Sequence, residues 1–224
     1  MDRQRGWTYG LVACGLWGAL FLSFAFAQTR EEPSPETRKV LALMDRANQT
    51  LIDLSADLKQ TKVIVAVNDI SLDTGKLYFK KEKNGNKTKF VYLDPDPKTI
   101  LIDKGKVQIY EPRINRLYSP DLGKNKAESE FFMVGFGSSA SLTRVYSARY
   151  VKDQPINNQK TSVLELIPKS TGAMFTKVIL WVDQVKGLPI QIRLYETTGD
   201  YLTVLFENMA INPKLHDNIF KIKK

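Results

Sequence analysis

From Val63 to the C-terminus the sequence breaks into short segments that alternate apolar and polar residues, separated by turn residues at hairpin spacing. "KVIVAVND", "GKLYFKKEK", "NKTKFVYL", "KTILID" and "KVQIYEP" read as successive strands, followed by a shorter piece at Arg116–Tyr118. Turns are expected near Asp73-Thr74-Gly75, at Asn84-Gly85 and at Lys104-Gly105. A second series runs "SARYVKD", "SVLELIP", "KVILWVD", "LPIQIRLYE" and "YLTVLFENM", with a closing strand at "IFKIK". Turns at Lys186-Gly187 and Thr198-Gly199-Asp200 separate the later members. Ten or eleven strands so closely spaced cannot be joined by parallel crossovers, which need a dozen or more residues each. The pattern therefore predicts one large, curved antiparallel sheet or open barrel.

One strand adds a constraint. In "KVILWVD", Val178, Leu180 and Val182 point to one face, and Ile179 and Trp181 to the other. An antiparallel meander normally leaves one face in water, so something must cover both faces here. An amphipathic helix supplies one cover. Ser34-Pro35-Glu36 is a good helix start: serine caps, proline at the first position forfeits no hydrogen bond, and the carboxylate meets the positive end of the dipole. Val40, Met44, Ala47, Leu51, Leu54 and Leu58 then follow at spacings of three and four, predicting one long helix with a single apolar stripe. Residues 124–146 supply another. They carry Phe131, Phe132, Met133 and Phe136 and are expected to form one or two short helices with an aromatic, adaptable face. The fold class is thus α+β: a mostly antiparallel, half-open β-barrel lidded by a long N-terminal amphipathic helix and short helices.

The first residues stand apart from this domain. Arg3 and Arg5 precede an apolar run over 11–26 that ends in Ala25-Phe26-Ala27. The run is shorter than the ~18 apolar residues of a membrane span and has the form of a secretory leader cleaved after Ala27. Residues 28–224 then form a single domain. Leu11-Val12-Ala13-Cys14 also spells a lipobox, so an anchor through Cys14 is an alternative fate. If the leader is removed, the only cysteine leaves with it, and disulfide and thiolate chemistry leave too.

Catalytic constellations are missing. His216 is the one histidine, so neither a histidine-based triad nor a multi-histidine metal site can be assembled. Gly135-Phe136-Gly137 lacks the lysine of a phosphate loop. Asp94-Pro95-Asp96-Pro97 reads as a stiff turn rather than a carboxylate pair, and His216 as a surface residue. No catalytic residue, metal or cofactor is expected. The net charge of +9 comes from lysines dispersed over strands and turns, such as Lys80, Lys81, Lys83, Lys87 and Lys89, which suit a solvated sheet face and not nucleic acid.

Three stretches carry a family resemblance. They are "GKLYFKKEKNGNKTKFVYLDPDPKTILIDKGKVQIYEP", "LELIPKSTGAMFTKVILWVDQVKGLPIQIRLYETTGDYLTVLFENMAIN" and "ENMAINPKLHDNIFKIKK", in which Phe220 enters the closing strand. With the leader and helix, they resemble the outer-membrane lipoprotein carrier protein (LolA) family and its relatives. The resemblance implies a monomeric periplasmic chaperone that shelters the acyl chains of lipoproteins, or related lipids, in a hydrophobic cavity. It also implies transport from inner to outer membrane, with an inner-membrane release complex and an outer-membrane acceptor as partners. Two departures are visible. Lys81 and Glu82 stand where the best-known carriers have arginine and proline, and the chain stops at Lys224 without the tail of that type. An alternative within the same superfamily is a periplasmic sensor that regulates an envelope stress response. The expected cavity lining is Leu77, Phe79, Leu101, Leu180, Ile192 and Val204 from strands, with Met44, Leu51 and Phe132 from helices. Lys81, Phe131 and Phe136 are expected to contact the lid.

Overall fold

A computed structural model describes residues 32–120, 135–170 and 175–222. The leader, the lipobox and Phe131, Phe132 and Met133 lie outside the described residues. Helix α1 spans Pro35–Thr50, with Ser34 as its cap accepting from the Thr37 amide at 3.2 Å. Eleven strands follow among the described residues: β1 Asp53–Ile64, β2 Asp69–Lys80, β3 Lys87–Asp94, β4 Lys98–Asp103, β5 Lys106–Glu111, β6 Arg116–Tyr118, β7 Tyr146–Asp153, β8 Thr161–Pro168, β9 Phe175–Asp183, β10 Pro189–Glu196 and β11 Tyr201–Ile211. A short helix α2, Ser139–Val145, precedes β7.

All strands belong to one antiparallel sheet in the order β6-β5-β4-β3-β2-β1-β11-β10-β9-β8-β7, with β6 and β7 at opposite edges, so the sheet is an open half-barrel. It consists of two meanders zipped together by their first and last strands, β1 and β11. The register sets one face of the sheet. Ala56, Leu77, Phe90, Ile100 and Ile109 lie opposite one another from β1 to β5. Val204, Ile192, Leu180 and Leu164 do the same from β11 to β8. These residues join Val40, Leu41, Met44 and Leu51 in one apolar cluster. That face is the inner one, and α1 lies on it.

The structure corrects four details. First, the helix ends at Thr50, and Leu54 and Leu58 belong to β1. A spacing of four is an even step, so these leucines satisfy a strand's period of two as well as a helix's stripe. Second, no turn occurs at Asp73-Thr74-Gly75, which lies inside β2. The chain reverses instead at a 3₁₀ turn over Val65–Val67, closed by Asn68 in the left-handed conformation. Gly75 serves close strand approach, since a Cβ there would sit 2.2 Å from the Val91 carbonyl oxygen. Third, the expected closing strand is a 3₁₀ turn, Asp217–Phe220, that buries Phe220. His216 is exposed, and its Nδ1 caps this turn by accepting from the Asn218 amide at 3.2 Å.

The fourth correction answers the question posed by "KVILWVD". Val178, Leu180 and Val182 face the inner cluster with α1. Helix α1 lies on that inner face, and among the described residues no helix covers the other one. Trp181 packs with Val163 and Ile190, flanked by Ile156, Ile179 and Met209, in a second, smaller cluster. The Arg193 guanidinium stacks over the Trp181 ring at 5.7 Å. A loop residue, a methionine and an arginine stem thus cover this part of the outer face, while the Phe131–Met133 part of the expected cover lies outside the described residues.

Candidate functional site

The lid begins with α1, which is fastened at several points. The Thr37 hydroxyl accepts the Tyr150 amide of edge strand β7 at 2.9 Å. The Gly187 turn, at φ +68°, comes so close to α1 that a Cβ there would lie 2.5 Å from the Leu43 carbonyl oxygen. Lys81, just past β2, donates through Nζ to the Asn48 carbonyl at 2.8 Å and to Asn48 Oδ1 at 3.1 Å. The Asn48 amide in turn donates to the Phe136 carbonyl at 2.8 Å. Asp45 accepts both the amide and the hydroxyl of Ser139, at 2.7 and 2.6 Å. One turn of α1 therefore ties together the end of β2 and the segment that leads into α2. Glu82, beside Lys81, pairs with Lys87 at 2.8 Å.

Beneath α1 the described inner face is lined by buried apolar side chains. Phe136 is buried, stacked on Phe79 with ring centroids 5.8 Å apart and edge-on to Phe206 at 5.7 Å. Met44, Leu51, Leu77, Phe79, Leu180, Ile192 and Val204 all sit in this cluster. Leu101 is buried but outside it, because Ile100 and Ile102 are the β4 residues that face inward. Strand parity inverts with a single-residue shift, and alternation alone cannot fix it where both faces are apolar.

A cavity of about 410 Å³ opens at one end of the sheet, under α2, within the usual range for small-molecule pockets of roughly 300–1,000 Å³. Its apolar part is Ile102 of β4, Leu142 and Val145 of α2 and Tyr146 of β7. Its rim is the β2–β3 turn (Asn84, Gly85, Asn86), the β4–β5 turn (Lys104, Gly105) and the polar face of α2 (Ser141, Arg144). None of the described cavity-lining residues expected from the sequence borders it. Three of its four apolar residues, Ile102, Leu142 and Tyr146, are also members of the main cluster, so the void continues the core rather than lying apart from it. Asn48, Asp45 and Ser139, which organise the lid, carried no sequence signal beyond being polar residues on or next to helices.

Among the described residues, no group of three or more histidine, cysteine or acidic side chains is placed to hold a metal ion. No described helix is long and apolar enough to cross a membrane. Asp96 pairs with Arg113 at the surface, which accounts for one carboxylate of the Asp94–Asp96 turn.

The sequence profile of the outer membrane lipoprotein carrier protein LolA matches residues 49–223, from the end of α1 through the whole sheet. The chain belongs to the LolA family. No curated protein matches it. Among solved structures, MucB aligns with a TM-score of 0.56 at 16% identity, over 85% of this chain and 64% of MucB. This LolA-family chain thus spans somewhat under two thirds of MucB. The Pseudomonas aeruginosa MucA/MucB complex aligns with a TM-score of 0.52 at 15% identity, over 84% of this chain and 61% of that one. An uncharacterized conserved protein from Thermus thermophilus aligns at 0.55 and 10% identity, over 84% of this chain and 95% of that one. At such identities the shared property is the LolA-like fold, and function must be argued from the site.

Proposed function

We propose that this LolA-family protein is a periplasmic carrier that holds acyl chains of lipoproteins, or of related lipids, in the cavity beneath α2. It would move them from the inner to the outer membrane, between a release complex and an acceptor. The observation that carries this reading is the cavity itself, apolar inside, polar at the rim and continuous with the sheet's core. Burial of a sixteen-carbon chain is worth roughly 12 kcal/mol, so an acyl chain leaves a membrane only for another apolar space. A carrier must also surrender it. α2 is seven residues long, too short to be stable alone, and is held by one buried side chain, Leu142, and by polar contacts such as Asp45 with Ser139 and Lys169 with the Thr143 carbonyl. Such a lid exchanges its place for a ligand at little cost.

Export follows from the same reading, with cleavage after Ala27 and no enzymatic activity. Protein purified from periplasm should begin at Gln28 by intact mass and carry acyl lipid or lipoprotein in native mass spectrometry. A preparation that is consistently lipid-free, and that also fails to release lipoprotein from spheroplasts, contradicts the proposal. Retention of radioactive palmitate on Cys14 would instead mark an anchored acceptor.

A second reading is favoured by one feature. The β1–β2 hairpin tip presents Val65, Val67, Ile70 and Leu72, each more than half exposed, and clustered exposed apolar residues mark interaction sites. This suits a sensor or interaction module that passes a ligand state to a partner. Gene loss would then alter an envelope stress response while lipoprotein sorting stayed normal.

A further inference from the structure

We infer that the cavity beneath α2 selects an amphiphile with an anionic head group, namely an acidic phospholipid, whose phosphate is met by Lys104 and Arg144. The inference rests on the reading that this cavity takes an acyl chain, and it assigns the head group.

The charge at the mouth is one-sided. Two cations border the cavity, Lys104 and Arg144, and no carboxylate among the described residues does. Three neighbouring cations are engaged elsewhere: Lys87 pairs with Glu82, Lys81 is spent on Asn48, and Lys169 donates to the Thr143 carbonyl. Lys104 and Arg144 have no ion pair or side-chain hydrogen bond among the described residues, and both are exposed.

Their placement follows from local structure. Lys104 occupies the left-handed position of the β4–β5 turn at φ +51°, followed by Gly105 at +77°. The reversal therefore puts a lysine at the strand tip, beside the cavity that Ile102 lines two residues earlier. On α2, Leu142 and Val145 are three apart and share the face toward the void, while Ser141 and Arg144, also three apart, share the rim. An apolar interior and a cationic rim thus come from opposite walls, β4 and α2, in the order tail and then head. Asn84 and Asn86 also border the cavity, as do Ser138 and Ser141, whose hydroxyls are hydrogen-bonded to each other at 3.0 Å.

The chemistry favours phosphate. A guanidinium binds phosphate oxygens through two parallel hydrogen bonds, and a lysine adds a point charge. Both side chains can lay their methylene stems along the apolar wall while their heads stay wet. A zwitterionic head group brings its own cation to the same rim and gains less. A neutral head group gains nothing from either residue.

The test uses the exported full chain with two short-chain lipids of equal acyl length, phosphatidylglycerol and phosphatidylcholine, titrated by calorimetry at low salt. One charge-assisted contact corresponds to about tenfold or more in affinity, so phosphatidylglycerol should bind about tenfold more tightly. The preference should shrink as salt is raised. In the double variant Lys104→Gln, Arg144→Gln, phosphatidylglycerol should weaken about tenfold or more and bind no more tightly than phosphatidylcholine does to the same variant. Phosphatidylcholine, whose phosphate gains less from the same rim, should weaken by a smaller factor, so that the preference disappears, and the thermal midpoint should be unchanged, since both side chains are exposed. Equal binding of the two lipids by the parent protein, or a preference that survives the double substitution, overturns the head-group assignment and leaves acyl binding standing. Binding of neither lipid removes the acyl reading as well. Inorganic phosphate binding as tightly as phosphatidylglycerol would show an anion site with no lipid specificity and would also overturn the inference.

Discussion

Two of the described helices roof the inner face of one sheet, and what lies beneath them differs. α1 has sixteen residues, and its buried Val40, Leu41 and Met44 join Leu51, Leu54, Phe79 and Phe136 in the main cluster, with the Phe136 ring stacked on Phe79. α2 has seven residues, only Leu142 among them is fully buried, and a void remains beneath it. The long helix completes a core, whereas the short one covers a space. The difference lies in helix length and in the rings available: Phe79, Phe136 and Phe206 meet in the main cluster, while the described lining of the void has Tyr146 and aliphatic residues. Stability and binding should therefore be separable along the sheet.

The largest effect is expected in the main cluster. Phe79→Ala removes a fully buried ring and its stack on Phe136, and should cost about 3–5 kcal/mol in urea unfolding. A loss below ~1 kcal/mol would mean that the α1 end is not the core. The converse substitution is Leu142→Trp, which puts a large ring into the void. Lipid affinity should drop about tenfold or more, while stability changes by no more than about 1 kcal/mol, because the added volume enters space rather than packed atoms. If stability fell by several kcal/mol, the α2 end would be as tightly packed as the other.

A smaller effect tests the tie between the two ends. Asn48→Ala removes the donor to the Phe136 carbonyl and one acceptor of Lys81. It should cost about 1 kcal/mol and raise amide exchange in residues 136–145 more than in β9 or β10. Uniform exchange would show that α2 does not depend on α1. The smallest effect is a control on buried polarity far from the void. Tyr92 donates to Gln60 Oε1 at 2.8 Å, and burial raises its phenol pKa above the ordinary value. The unfolded chain ionises this tyrosine near pH 10 before the folded protein does, so its contribution is intact below that pH and lost as pH rises further. Tyr92→Phe should reduce the alkaline decline of the thermal midpoint, with lipid binding untouched.

Strands and hairpins were legible because alternation with Asn-Gly, Lys-Gly and Thr-Gly-Asp turns has few competing readings. The boundary between α1 and β1 was not, since Leu54 and Leu58 fit both periods. Gly75 looked like a turn residue because a glycine required by close strand approach and one required by a reversal are identical in sequence. The candidate site was less legible still. Sequence patterns pick out the middles of strands, where Leu77, Leu180 and Ile192 lie, and those positions are buried and do not border the cavity under α2. The void is bounded by hairpin tips and a two-turn helix, contributed by residues far apart in the chain. No periodicity reports which turns meet at one end of a sheet. Lys81 drew attention as a departure from its family pattern, and the structure gives it a definite contact through Asn48, a residue with no signal of its own.

The most direct test of the central claim, that the space under α2 receives an acyl chain, is paramagnetic broadening of methyl signals by a fatty acid spin-labelled near its chain end. The account predicts strong broadening at Ile102, Leu142 and Val145, with Leu180 and Val178 spared. Broadening centred on Val163 and Ile190 of the outer face, or none at saturating ligand, would contradict it.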